Sequence, residues 1–500
     1  MAPQAASSSL IALCGISTFA LSLLYLFSCR RQSFAGSSPP GPKSPSMPIL
    51  DAWLQYQEWG REYGDLVYIR KNNMLIVNHA HVARDLLDIR ARIYSDRPMT
   101  NTMKLCGFND ILSLQRYSNR WRENRRLFQQ NFRHSASNRF YPTQYKQIHQ
   151  FLRRITTVPE EFMQHTMTYC LIYASLYGLD ITAEDPLARK AVEAMALIGQ
   201  ATLQPFPALE LCPWLRFMPS WFPGCGFQQM VNKCTQNLWE IDTIPFDTAV
   251  NNLKTGTGTS LIAELALENE GNTVEIEKIK AMGTVSFLAG ADTIMSSIGS
   301  FLLNMTQHPE VQSKAQAEID RVIGRDRLPN FEDRQSLPYV ESIYREIMRM
   351  HPPLPIGVYH VSTEDDFYRG YHIPKGCAVV PNIWAMNRDP DVHSEPDKFM
   401  PERFLDSPTG PFTKINDIYA YGFGRRVCVG RYMADNTVWL AIASVLATLN
   451  LRKAKDDEGN EVDIPGEYTR HFFRHPEPYQ SSITPRDLQA RELILATAMA

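Results

Sequence analysis

The 500-residue sequence lacks the marks of a metal cluster, a disulfide scaffold or a nucleic-acid binder. It has no Cys-x-x-Cys pair. Its nine cysteines fall at irregular spacings, which excludes a disulfide framework and a zinc site. An odd cysteine count in a chain this long fits reduced thiols in a compartment open to the cytosol, with at least one kept for reactivity or ligation. Charge of either sign is not in excess. Lys and Arg number 51 against 53 Asp and Glu, so the net charge of −2 leaves no electrostatic footprint for nucleic acid or another polyanion. Internal repeats are absent, and so is regular alternation of strand and helix patterns. That argues against βαβ units and for a mainly α (α+β) domain with a smaller β region.

The first thirty residues carry the clearest targeting signal. Ser9 to Phe27 (SLIALCGISTFALSLLYLF) contains no charged residue. As a helix rising about 1.5 Å per residue, it spans roughly the hydrocarbon core of a bilayer. Arg30 and Arg31 follow directly, which places the downstream chain on the cytoplasmic side. A cleaved secretory signal is the alternative, but the apolar run is long and has no basic segment before it. The stretch Ser37–Pro48 is too rich in Pro, Gly and Ser to be helical and reads as a stiff extended spacer. The expected organisation is an anchor over residues 9–28, a Pro-rich hinge over 29–48 and one domain over 49–500.

Asp65–Arg70 and Asn73–Asn78 alternate apolar and polar residues around Lys71-Asn72, a β-hairpin pattern. Phe206–Phe222 (FPALELCPWLRFMPSWF) is poor helix material. It reads either as a core-packing loop or as an apolar loop dipping into a membrane interface. Ala281–Met305 is apolar enough for a second membrane span, but Asp292 lies at its centre, where mid-bilayer burial of a carboxylate is expensive. A long helix buried through a soluble domain is the simpler account. Two further helices are expected between Pro309 and Met350, then a hairpin over Tyr371–Val380 with its turn at Pro374–Gly376. Helical patterning resumes after Gly430.

The segment Tyr421–Gly430 reads YGFGRRVCVG. Its glycines mark a tight loop whose backbone approaches something flat and bulky. Cys428 lies between Arg426 and Gly430, and neighbouring arginines would favour its thiolate, a good single ligand for an iron centre. Taken alone, it could equally be a buried structural cysteine.

Other elements accompany it. Upstream stand Trp121-Arg122-Glu123-Asn124-Arg125, Ala289-Gly290-Ala291-Asp292-Thr293, Glu346-Ile347-Met348-Arg349, His351-Pro352-Pro353, Asn382-Ile383-Trp384-Ala385, Arg388-Asp389-Pro390 and Pro401-Glu402-Arg403-Phe404. With the Pro39–Pro42 hinge and the cysteine loop, in this order, the chain resembles the cytochrome P450 family along essentially its whole length. The resemblance is to the membrane-anchored microsomal type, and GYHIPKGCAVVPNIWAMNRDP and FFRHPEP are similar to fungal members serving secondary metabolism. Two positions depart from the pattern. Tyr421 stands where the family usually has Phe, and Val429 where the fungal group commonly has Pro.

The resemblance implies a helical domain with small β-sheets around a buried haem b. Cys428 would be the axial thiolate ligand, and Trp121, Arg125, His360 and Arg426 would meet the haem propionates. Trp121 and Arg125, one helical turn apart, point together, whereas Arg122 and Arg126 share a different face suited to a surface patch. Glu346, Arg349 and Arg403 would form a buried ion network supporting the pocket. Asp292 and Thr293 are the proton-delivery candidates. Their bland alternatives are a salt-bridged core acid and a hydroxyl bonded to its own helix backbone at i−4. Substrate contacts are expected at Thr284, Leu288, Ala291, Ile356, Val358 and Phe472, nearly all apolar or small, which suits a lipophilic terpenoid or aromatic compound.

The implied activity is a monooxygenase of the endoplasmic reticulum membrane, single-pass, with its catalytic domain cytoplasmic. Its electrons would come from NADPH through a reductase docking on Arg122, Arg126, Arg133 and Arg425; its other partners would be membrane lipid and the lipophilic substrate, with no nucleic acid. The rivals are a haem-thiolate isomerase, dehydratase or peroxygenase needing no reductase, and a non-catalytic haem-binding protein. An altered hydrogen bond at Tyr421 or Val429 would tune the haem and leave its binding intact.

Overall fold

The apolar residues sort into two helical cores and a sheet buried on both faces. The computed structural model describes residues 37–43, 45, 50–157, 166–181, 185–203, 205–222, 224–405, 410–412, 414–470 and 472–498. The expected anchor over 9–28 and the hinge residues 29–36 lie outside them.

Helices of two turns or more among the described residues are α1 (Ala52–Tyr63), α2 (Asn119–Phe132), α3 (Tyr141–Thr157), α4 (Thr166–Tyr177), α5 (Pro186–Leu203), α6 (Phe227–Lys254), α7 (Leu261–Glu268), α8 (Thr273–Gln307), α9 (Pro309–Val322), α10 (Pro338–Met350), α11 (Arg431–Thr448) and α12 (Leu488–Ala496). The 35-residue α8 is the spine. Its N-terminal half, from Ile279 to Ala291, joins the core made with α2 and α4–α7. Its C-terminal half, from Ile294 to Met305, joins the core made with α3 and α9–α11. Being buried on all sides explains why its composition matches a membrane span. Gly283 lets α4 approach closely, since a Cβ there would come within 2.2 Å of the Tyr177 hydroxyl oxygen.

The expected first hairpin is present. β1 (Leu66–Ile69) and β2 (Met74–Val77) pair antiparallel, with Leu66 opposite Val77 and a left-handed Asn73 closing the turn. Every residue of both strands is buried. One face packs Leu66, Tyr68, Leu75 and Val77 against Tyr94 and Phe423. The other packs Val67, Ile69, Met74 and Ile76 against Trp53, Tyr56 and Trp59 of α1.

The expected hairpin over Tyr371–Val380 does not form. Its turn exists, with the Cys377 N–H donating to the Pro374 carbonyl, but the flanking strands go to different sheets. With β3 at His360–Val361, β4 (Asp366–Tyr368) pairs with β5 (Tyr371–Ile373) through Arg369-Gly370, both at positive φ as a tight two-residue hairpin turn requires. β6 (Ala378–Pro381) instead lies parallel to β2 and antiparallel to β3, completing the four-stranded sheet. β7 (Leu449–Lys453) and β8 (Ser481–Pro485) make a third, two-stranded sheet.

The described part of the expected hinge is extended, as its composition implies, but it is docked. The Tyr68 N–H donates to the Pro40 carbonyl at 2.8 Å, and the His372 N–H to the Ser37 carbonyl at 3.1 Å. Residues 206–222, expected to be poor helix material, instead hold two short helical segments at Pro207–Leu211 and Pro213–Phe217, each started by a proline in its first turn. Leu209 and Leu215 are core, while Leu211, Trp214, Phe217 and Trp221 are exposed.

Candidate functional site

One cavity runs between α8 and the loop leading into α11. Ala289, Thr293, Ile294 and Ser297 of α8 form one wall, and Tyr421, Gly422, Phe423, Cys428, Val429, Ala434 and Val438 form the other. The cysteine loop takes its shape from the backbone. Gly424, at φ 55°, sits where a Cβ would come within 1.9 Å of the Leu87 carbonyl oxygen, so no side chain fits there. The Cys428 N–H donates to the Tyr421 carbonyl at 2.8 Å, which fixes the loop, and the sulfur opens on the cavity.

The Cys428 thiol is pushed up by burial. The Gly430 backbone N–H, Arg125 and Arg431 oppose that push without cancelling it. The expectation that the loop's own arginines would favour the thiolate is therefore corrected. Arg426 spends its donors on the carbonyls of Ser95, Leu112 and Gln115, at 2.8, 3.2 and 2.8 Å. Ligation to a metal would deprotonate a coordinating thiol outright.

Cations gather at this cavity. Trp121 and Arg125, on one face of α2 as their spacing required, both line it, whereas Arg122 and Arg126 are exposed. Arg426 stacks over Trp121 at 4.2 Å. His360 donates from Nδ1 to the Tyr94 carbonyl at 2.7 Å. Sequence reasoning missed Arg97, which is buried, lines the cavity, and donates to the carbonyls of Ser113, Val358 and Tyr359. No spacing distinguishes it from a surface arginine.

Burial holds Arg426 down to about 9 and Arg125 to about 10, and Arg97 well below the usual guanidinium range. His360 is held well below the imidazole range by burial, then by Arg97. These groups depress one another, and no carboxylate lines the cavity among the described residues. Trp121 Nε1 and Arg125 Nε are buried without a protein partner. A flat apolar ring with two carboxylates at one edge meets each requirement: dry walls, a sulfur on one face, and donors in want of an anion. The residues present fit a haem.

Of the expected substrate contacts, Leu288, Val358 and Phe472 line the cavity. Thr284, Ala291 and Ile356 do not. The Thr284 hydroxyl donates to Asp242 on α6 at 2.6 Å. Ala291, two turns along the same face of α8, is wholly buried in the core, and Ile356 packs into the cluster beneath the sheet with Trp53 and Tyr56. Met195, Ile198 and Phe473 line the cavity and were not anticipated.

The proton-delivery candidates separate. Thr293 lines the cavity, and its hydroxyl donates to the Ala289 carbonyl at 2.9 Å, the i−4 bond of the bland reading. Asp292 is buried and turned away from the cavity, 3.3 Å from Nε2 of His475.

Glu346, Arg349 and Arg403 form a buried ion network. Glu346, fully buried on α10, accepts from Arg349 at 2.7 and 2.8 Å, from Arg403 at 3.0 Å and from the Met400 N–H at 2.9 Å. Tyr421 finds the partner that its hydroxyl needs in the hydroxyl of Tyr344, at 3.0 Å.

Comparison with known proteins agrees with this geometry. A family profile described as Cytochrome P450 matches residues 51–483. The chain is 37% identical over 465 residues to Cytochrome P450 monooxygenase COX1 of Coprinopsis cinerea, covering 88% of this chain and 90% of that one. It is 34% identical to Cytochrome P450 monooxygenase 136 of Postia placenta, over 98% and 96% of the two chains. Cytochrome P450 monooxygenase claR of Ampulloclitocybe clavipes is 33% identical over 95% of this chain and 90% of its own.

Proposed function

The chain belongs to the cytochrome P450 family and is a monooxygenase of it, and from that premise we propose that it inserts one oxygen atom into a lipophilic terpenoid or aromatic molecule. The observation that carries the reading is the Cys428 sulfur facing a cavity whose charged groups are all cations and whose remaining lining is nearly all apolar. Haem, when bound, supplies the redox chemistry that activates dioxygen. The rest falls to the chain. Cys428 would ligate through its sulfur, and Trp121, Arg125, Arg97 and Arg426 would hold the two propionates, while His360, whose one N–H goes to the Tyr94 carbonyl, lines the cavity beside them. Leu288, Val358 and Phe472 exclude water and orient an apolar substrate. Thr293 commits its hydroxyl proton to Ala289, so its lone pairs accept a hydrogen bond from a cavity water and hold that water for proton delivery.

An acidic, NADPH-dependent reductase docks on the exposed arginines. Arg122 and Arg425 lie over the same Tyr117 ring, at 5.3 and 5.6 Å, and Arg126 and Arg133 are exposed nearby on the same helix and just beyond its end. The endoplasmic reticulum membrane is the site of action, through the apolar segment over residues 9–28 and through the exposed Leu211, Trp214, Phe217 and Trp221, a composition suited to the bilayer interface. The test is the purified holoprotein with reductase, NADPH and a lipophilic library. A product one oxygen atom heavier, dependent on NADPH and dioxygen, supports the reading. Turnover without reductase makes it an isomerase, dehydratase or peroxygenase.

A further inference from the structure

Along the C-terminal half of the spine helix α8, Asp292, Ser296, Ser300 and Asn304 form a buried polar stripe at four-residue steps. Gln307 continues it. This stripe faces one stretch of chain, residues 464–470 and 472–479. Gln307 donates to the Ile464 carbonyl at 3.2 Å. The Tyr468 hydroxyl faces Ser300 and Asn304. The Ser296 hydroxyl donates to the Arg474 carbonyl at 2.5 Å, and Asp292 meets His475 at 3.3 Å.

The stretch is a strap closed on itself. The Thr469 N–H donates to the His475 carbonyl at 2.7 Å, and the His475 N–H to the Thr469 hydroxyl at 2.9 Å. The Arg474 N–H donates to the Pro353 carbonyl, and the guanidinium of Arg474 lies 3.7 Å over the Tyr468 ring and 4.8 Å over Trp384. At its tip Phe472 and Phe473, edge to face at 4.9 Å, line the cavity. Phe472 rests on Gly199 of α5, where an added Cβ would come within 3.2 Å of it.

One residue, Arg474, thus separates the cavity-facing tip from the partner of Asp292. Tyr169 of α4 lies near the same carboxylate: its hydroxyl is buried and pushed up by burial and then by Asp292. A carboxylate so buried is sensitive to the loss of a partner. We propose that His475 is a positioning residue that couples the Phe472–Phe473 tip of the cavity to Asp292, so that a molecule seated against the tip fixes the carboxylate beside Thr293. This deepens, and rests on, the reading of Thr293 as the residue that holds a cavity water for proton delivery, and it gives the neighbouring Asp292, which faces away from the cavity, a part in that delivery. Coupling of this kind is reciprocal, so loosening the Asp292–His475 contact weakens binding against the tip by the same factor that binding tightens the contact.

The test uses the haem-loaded full chain and 4-phenylimidazole, an apolar probe read by haem absorbance, with amide hydrogen exchange of residues 464–479 as the second readout. His475→Phe and Asp292→Asn each weaken the probe about three- to tenfold and speed exchange in the strap. The double variant is no weaker than the single ones, because either substitution removes the same contact. His475→Gln, which keeps an N–H donor, stays within about twofold of wild type. Additive losses, unchanged strap exchange in Asp292→Asn, or a Gln variant as weak as Phe overturns the proposal. If His475→Phe fails to hold haem, Asp292→Asn and His475→Gln decide it. Failure of the proton-handling reading shows separately, as unchanged coupling of NADPH use to product in Thr293→Ala, and failure of haem binding as the absence of any spectral response in wild type.

Discussion

Replacing Glu346 by Gln tests the ion network under the cavity most directly. Oε1 of Glu346 accepts three bonds, from Arg349, Arg403 and the Met400 N–H, and Oε2 accepts the Arg349 Nε–H. The side chains are 0, 3 and 6% exposed for Glu346, Arg349 and Arg403, so water replaces none of these bonds. Gln keeps the shape and one acceptor, but its amide N–H2 is set against an arginine N–H, and two guanidinium groups lose their anion. Breaking a buried pair by removing one partner costs about 3–5 kcal/mol. That is a large fraction of the roughly 5–15 kcal/mol by which a domain is stable. With an m-value of about 3 kcal/mol per molar urea, the unfolding midpoint drops by about 1–1.7 M, followed by tryptophan fluorescence. The exposed pair Lys146–Asp180, 52 and 63% accessible, is the control. Asp180→Asn changes stability by about 0–1 kcal/mol. A Glu346→Gln variant within about 1 kcal/mol of wild type would refute the reasoning, since that is what an exposed pair contributes.

Other outcomes follow from the same geometry. Tyr421→Phe leaves the Tyr344 hydroxyl buried without a partner and lowers stability by about 1–3 kcal/mol, while Tyr421→Phe with Tyr344→Phe recovers most of the loss, as thermal or urea unfolding of the single and double variants shows. Arg97→Leu lowers the haem-to-protein absorbance ratio of the purified protein, and Arg122→Leu does not; equal loading of the two would remove Arg97 from the propionate cluster. Replacing Trp214 and Trp221 together by Ser reduces sedimentation with phospholipid vesicles of a variant lacking residues 1–36, with haem absorbance unchanged. Burial, ahead of Arg474 at His351 and of Arg349 at His393, keeps both histidines deprotonated in the folded state, with His393 held down to about 4. The unfolded chain takes up protons first as pH falls below about 6.5, so stability declines from there toward pH 4, by up to about 1.4 kcal/mol per pH unit for each histidine. His351→Gln makes that decline shallower in urea titrations at stepped pH.

Much of the site was legible because it rests on short-range helical geometry or on motifs in order. Trp121 and Arg125 had to share a face of α2, and Glu346 and Arg349 a face of α10. Arg403, far along the chain, came only through the resemblance. What periodicity could not supply was orientation on α8. A helix buried all round has no solvent face to set its rotation, so Thr284 and Ala291 were expected in the cavity and instead face neighbouring helices. Strand partners were equally beyond reach at Tyr371–Val380. The Pro374–Gly376 turn was read correctly, yet Arg369-Gly370 makes the tighter hairpin and leaves β6 to β2. Arg97 and His475 lay hidden for a different reason. Arg97 reaches Val358 and Tyr359, and His475 reaches Asp292, partners more than a hundred residues away; His475 stands in the FFRHPEP segment, but nothing in that segment points to Asp292.

The paired backbone at Ser37 and Pro40 turns the N-terminal connection into a short leash. Residues 29–36 separate the proposed span from the first docked residue, and even fully extended they reach about 27 Å. With the proposed span in a bilayer, so short a leash would let the body spin about the bilayer normal while keeping the strands of Tyr68 and His372 on its membrane side. A substrate dissolved in the lipid would then meet the same face at nearly the same depth on each encounter, its search confined to a plane.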